Sequence, residues 1–144
     1  MKRTRFVAVA GALFIAACGR SDSSGPQAPN VAGTWSYTVT GLQGGGLSCN
    51  ISGVTVNFLY NFGDSTGFRG RILSGTINCG PTLNINLTDG SVVDGTVEGN
   101  TVNFNFNSEQ WMHAGTLSGN SISGTITITL SPSIVLRGSF SMVR

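Results

Sequence analysis

The sequence predicts an all-β domain over residues 31–144: an antiparallel up-and-down meander that closes into a barrel of eight to ten strands, with an open β-sandwich as the alternative. Three observations predict it. Several runs alternate strictly between apolar and polar residues, the signature of half-buried antiparallel strands. Turn dipeptides separate them: Asp89-Gly90, Gly99-Asn100 and Gly119-Asn120, each able to supply the positive φ of a tight hairpin. A Gly-Thr pair recurs every 20 residues, at Gly75-Thr76, Gly95-Thr96 and Gly115-Thr116, each followed by an aliphatic residue and a turn. One hairpin per repeat is a meander. Composition agrees. Only 10% of the 144 residues are charged, too few for a coiled coil or an expanded disordered chain, and 21 are Gly.

Taken in order, strands are expected near residues 32–40, 46–51, 54–62, 67–78, 82–88, 91–97, 100–107, 111–118, 121–130 and 133–143. In the third, Val54, Val56, Phe58, Tyr60 and Phe62 share one side. In the fifth, Leu83, Ile85 and Leu87 oppose Thr82, Asn84 and Asn86. In the seventh, Val102, Phe104 and Phe106 oppose Asn103, Asn105 and Asn107. In the ninth, Ile122, Ile126, Ile128 and Leu130 oppose Ser and Thr. In the fourth, Arg69 and Arg71 share a parity opposite to Phe68 and Ile72, and a bulge near Gly70 would put them outside. Ser52-Gly53 is either a turn, giving ten strands, or a bulge, giving nine. An antiparallel meander closes only on an even count, so ten or a merged eight is preferred. Closure also removes exposed edges, which matters here because the outward faces carry Asn, Ser and Thr but almost no charge.

The first eighteen residues indicate an address. Lys2, Arg3 and Arg5 precede an apolar run, FVAVAGALFIAA at 6–17, which is too short to span a bilayer at the roughly 20 residues required. It ends in Ile15-Ala16-Ala17-Cys18. This resembles the lipobox of bacterial lipoproteins, with Ile where Leu is usual. The plainer reading is an ordinary secretory signal that happens to end near a Cys. The resemblance implies removal of residues 1–17, acylation of Cys18 (palmitate among the acyl groups) and membrane attachment through that lipid. Two or more acyl chains anchor a protein stably. Gly19 stands where an Asp would favour inner-membrane retention, so the resemblance points to the outer membrane. Residues 18–30, rich in Ser, Gly and Pro, read as the lipidated Cys and a flexible tether.

Without residues 1–17, five arginines face six acids and no Lys remains, so the formal charge of +2 belongs to the signal. Nothing then favours nucleic acid, which needs clustered cations. Cys49 and Cys79 are left as an even pair in an oxidising compartment, and a disulfide between them is expected, with two buried free thiols as the alternative. The chain-entropy account gives such a loop ~3–4 kcal/mol.

Gly33-Thr34-Trp35 opens the first strand, and Ile134, Leu136, Phe140, Met142 and Arg144 share one parity in the last. This resembles the calycin pattern of lipocalins, fatty-acid-binding proteins and avidins, where Gly-x-Trp begins strand one. In lipocalins an Arg near the barrel's end packs over that Trp, which implies Arg144 over Trp35. The biotin-contacting constellation of avidins is not recognisable.

No enzymatic activity, metal or cofactor is expected. His113 is the sole His, no Gly-x-Ser-x-Gly elbow or Walker A loop occurs, and Gly44-Gly45-Gly46 reads as a turn. Asp89 and Asp94 are the one candidate carboxylate pair, and Asp89 is explained by its turn. Aligning the repeats places Val93, Gly95 and Val97 inside, hence Trp111, His113, Gly115 and Leu117 as well. Trp35, Tyr37, Phe58, Tyr60, Phe104, Trp111, His113 and Arg144 are therefore the candidate lining of a lumen site for a small apolar or amphipathic ligand. The alternative is a filled core in an envelope module that works through its Asn/Thr faces.

Overall fold

The structure, a computed structural model, describes residues 29–60, 66–81, 83–87, 92–106 and 110–144. Cys18 and residues 19–28 of its tether, Phe62, Asn107 and the Asp89-Gly90 turn lie outside the described residues. Among the described residues nine strands are present: β1 (Gly33–Gly44), β2 (Leu47–Tyr60), β3 (Gly67–Cys79), β4 (Leu83–Asn86), β5 (Val92–Glu98), β6 (Thr101–Phe106), β7 (Trp111–Ser118), β8 (Ser121–Ser131) and β9 (Ile134–Val143). Every pairing is antiparallel.

Eight of the strands close a ring: β1, β2, β3, β5, β6, β7, β8 and β9, with β9 returning to β1. The ninth, β4, lies against Thr76–Cys79 of β3, while β5 lies against Gly67–Arg71 on the same flank. These two short strands share one place in the wall, so the even-count rule holds. The closed antiparallel barrel fits the calycin-like fold implied by the resemblance.

The strand count resolves on Ser52-Gly53. It is a bulge, not a turn: β2 runs through it, and the pairing with β3 shifts between Ser52 and Thr55. Gly53 sits at φ +63°, a conformation that L side chains rarely adopt. The bulge gives nine strands among the described residues, with eight around the ring, within the expected eight to ten. A second irregularity at Gly41 carries β1 past the expected end at 40 to Gly44. Each insertion flips the parity, so the buried set passes from Val39 to Leu42 in β1 and from Ile51 to Val54 in β2. No bulge occurs near Gly70. The register from Val56↔Ile72 to Tyr60↔Phe68 is unbroken, and simple alternation puts Arg69 and Arg71 outside. Leu130 is not on the inner face. A register shift between Thr129 and Ser131 leaves it partly exposed.

The 20-residue repeat has a packing explanation. Ile77, Val97 and Leu117, which follow the Gly-Thr pairs, are buried. Gly95 and Gly115 leave space for rings. A Cβ on Gly95 would stand 2.4 Å from Phe68 Cζ and 2.7 Å from the Asn103 carbonyl oxygen, and one on Gly115 would stand 2.8 Å from Phe140 Cζ. Small inward residues under large ones fill a narrow barrel at the density of a protein interior. Cys49 of β2 and Cys79 of β3 face each other in register and form a disulfide, as expected.

Candidate functional site

The interior is built from the inward parity of each strand. Trp35 and Tyr37 come from β1, Phe58 from β2 and Phe68 from β3. Phe104 and Phe106 come from β6, Trp111 and His113 from β7, and Phe140 from β9. Their rings touch in a continuous column. Trp35 leads to Phe58 (centroids 6.2 Å apart), Phe58 to Phe104 (5.4 Å), Phe104 to His113 (4.2 Å, stacked), His113 to Phe106 (4.6 Å) and Phe106 to Trp111 (6.3 Å). Tyr37 and Phe140 flank the imidazole at 5.6 and 5.1 Å. Such offset and edge-to-face pairs each add about 0.5–1.5 kcal/mol beyond area burial.

His113 is the polar centre of this column. Its Nδ1 lies 3.3 Å from the Phe104 carbonyl oxygen, which can only accept, so the ring proton sits on Nδ1. Nε2 is then left to accept the Tyr37 hydroxyl at 2.8 Å. Burial pushes the imidazole down from its usual 6.5 to about 3, against backbone hydrogen bonds that pull the other way. Burial also holds the Tyr37 phenol well above its usual 10.0. Among the described residues no buried side-chain nitrogen or oxygen lacks a partner. Both groups are therefore hydrogen-bonded, and a guest at this point would compete with those bonds.

Of the eight side chains expected to line a lumen, Trp35, Tyr37, Phe58, Phe104, Trp111 and His113 do meet inside. Tyr60 and Arg144 instead stand at one barrel end, around the incoming chain. The Tyr60 hydroxyl donates to the Pro29 carbonyl and accepts from the Val31 amide at 3.2 Å. Trp35 Nε1 donates to the Val31 carbonyl at 2.9 Å. The Arg144 guanidinium lies 4.8 Å over the Trp35 ring and donates to the Ala32 carbonyl at 3.1 Å. This is the placement implied by the calycin resemblance, with a cation–π contact added. The segment from Pro29 to Ala32, with Val31 buried, closes this end of the barrel.

Two clefts lined by described residues open to solvent. One, of about 350 Å³, is lined by Gly67, Arg69, Asp94, Thr96, Asn103 and Asn105, with Phe68, Gly95 and Phe104 behind them. A neighbour of about 310 Å³ shares Asn103 and Asn105 and adds Met112, Ala114, Thr125 and Thr127, with His113 behind them. Arg69 Nε donates to Asp94 Oδ1 at 3.1 Å, an exposed ion pair worth at most about 1 kcal/mol. The sequence carried part of this site. Hairpin register sets Asp94 beside Asn105 and Thr96 beside Asn103. It did not reveal Arg69 beside Asp94, because β4 separates β3 from β5 along the chain.

The fold and these clefts are this chain's own testimony: no family model matches it, and neither curated proteins nor solved structures provide a match.

Proposed function

We propose that this chain is a lipid-anchored protein of the bacterial cell envelope, held to the outer membrane through an acylated Cys18 and a tether reaching to residue 30. The barrel serves as an interaction module that binds through its outside. The order of n-region, apolar run and Ile15-Ala16-Ala17-Cys18 supports the anchoring. One observation supports the choice of the outside over the lumen: His113, a buried titratable side chain at the centre of the barrel, makes its hydrogen bonds to Tyr37 and Phe104. A ligand entering the barrel would have to part stacked rings and break a satisfied pair. The outer clefts, lined by amides, hydroxyls and one ion pair, require no such opening.

The test begins with fractionation. The full chain partitions with membranes, and Cys18→Ser releases it. Envelope fractions then retain the protein in pull-downs, and native mass spectrometry finds no small molecule inside. Retention by no fraction would sink the interaction reading.

A second reading, a lumen ligand that is small and apolar or amphipathic, is favoured by the Trp111–His113 neighbourhood at one end of the ring column. A co-purifying lipid that quenches tryptophan fluorescence and is lost in Trp111→Ala would establish it in place of the first.

A further inference from the structure

We propose that the two adjoining outer clefts form one binding site for an uncharged polysaccharide that bears acetamido groups. This inference rests on the outward-binding reading above and names the class of partner.

The site crosses β3, β5, β6, β7 and β8, and its outward-facing residues fall into two rungs set by register, on either side of the inward Phe68, Gly95, Phe104 and His113. One rung runs Arg69, Asp94, Asn105, Met112, Thr127. The other runs Gly67, Thr96, Asn103, Ala114, Thr125. At ~4.8 Å between strands, five strands span about 19 Å, room for a stretch of polymer rather than one small molecule.

The two halves differ in chemistry. The β3–β6 half offers a guanidinium, a carboxylate and two side-chain amides in one cleft of about 350 Å³. Vicinal hydroxyls each donate and accept, and this set supplies both complements. The β6–β8 half has an apolar floor. Met112, 56% exposed, lies between Asn105 and Thr127 in register, and Ala114 is beside it. The other large exposed apolar side chains, Leu59, Leu130 and Val143, sit within a residue of a strand's C-terminal end. A thioether and a methyl floor with an amide and hydroxyl rim complements an acetamido group. Its methyl meets Met112 and Ala114, and its N–H and C=O meet Asn103, Asn105 and the threonines.

Charge narrows the class further. The site has one cation and one anion, already paired with each other, and the chain beyond residue 17 has no Lys. A polyanion would find no counter-charge here, and a polycation no surplus of acids.

The experiment titrates the full chain in detergent with three tetrasaccharides by calorimetry: one of N-acetylglucosamine, one of glucosamine and one of β-linked glucose. The acetylated form binds, and the other two bind at least about tenfold more weakly. Asn103→Ala and Met112→Ser each weaken the acetylated form by about tenfold, while Thr38→Ala and Asn50→Ala, exposed on β1 and β2, leave it unchanged. Equal binding of the glucose tetramer overturns the acetamido assignment. Binding that survives Asn103→Ala and Met112→Ser, in variants whose circular dichroism matches the parent, overturns the location. Envelope retention without any sugar binding, abolished by protease treatment of the envelope, overturns the glycan class in favour of a protein partner and leaves the interaction module standing. Loss of retention altogether strikes the reading beneath it.

Discussion

The two faces of β6 and β7 are made from adjacent residues and have nothing else in common. Inward, Phe104, Phe106, Trp111 and His113 form a ring column, and among the described residues no buried side-chain polar atom lacks a partner. Outward, Asn103, Asn105, Met112 and Ala114 line clefts open to solvent. Moving one residue along a strand passes from a group that holds the fold to a group the fold could lose. The pleat alone makes this separation, because successive side chains point to opposite faces of a strand.

Substitutions should respect that division. The largest effect is expected from Phe104→Ala, which removes a ring in contact with Phe58, Phe68, Phe106, His113 and Phe140. A loss of about 3–5 kcal/mol in urea unfolding is expected, a large part of the ~5–15 kcal/mol that a domain typically has. A loss below about 1 kcal/mol would mean that the rings pack loosely and the lumen has room.

Acid comes next. His113 titrates at about 3 in the fold against 6.5 as an ordinary His. Below about 6.5 the unfolded chain takes up a proton that the native one refuses, so this group's contribution to stability falls as pH falls. The slope is at most about 1.4 kcal/mol per pH unit, down to about pH 3. Thermal unfolding followed from pH 7 to 4 should show this slope, reduced in His113→Gln. An unchanged slope in that variant would place a charged or solvated imidazole in the core and favour an accessible lumen.

Gly95→Ala tests the fit between small and large inward residues. Its Cβ would meet both the tip of Phe68 and the Asn103 carbonyl, and backbone yields less readily than a ring. A cost of about 1–3 kcal/mol in chemical denaturation is the expected result. Neutrality would indicate slack beneath Phe68. The smallest effect belongs to the outer face: Asn103→Ala should leave stability within about 0.5 kcal/mol, read in the same assay. A larger loss would join the outer clefts to the fold and dissolve the contrast between the faces.

Much of this contrast was legible in the chain. Period-two alternation put Val102, Phe104 and Phe106 on one side and Asn103 and Asn105 on the other. The Gly95 and Gly115 repeat carried the same parity to Trp111 and His113. Parity is local: it follows from the pleat and needs no knowledge of neighbours. It failed where a residue was inserted, at Gly41 and Gly53, and where a strand ended, at Leu130, because a bulge is defined by its partner strand as well as its own sequence.

The sequence by itself determined the fold class, the inward parity within each unbroken run and the hairpins at Gly99-Asn100 and Gly119-Asn120, and it pointed to the Cys49–Cys79 pair. Only the tertiary structure decided three further matters. β4 and β5 divide one flank of β3, which makes nine strands close as eight. Tyr37 reaches His113 across 76 residues and hydrogen-bonds its Nε2 inside the barrel. Arg69 meets Asp94 across an intervening strand. The reason is the same in each case. Alternation and turn chemistry act over a few residues, while closure brings together residues far apart in the chain, and no local preference specifies which of them will meet.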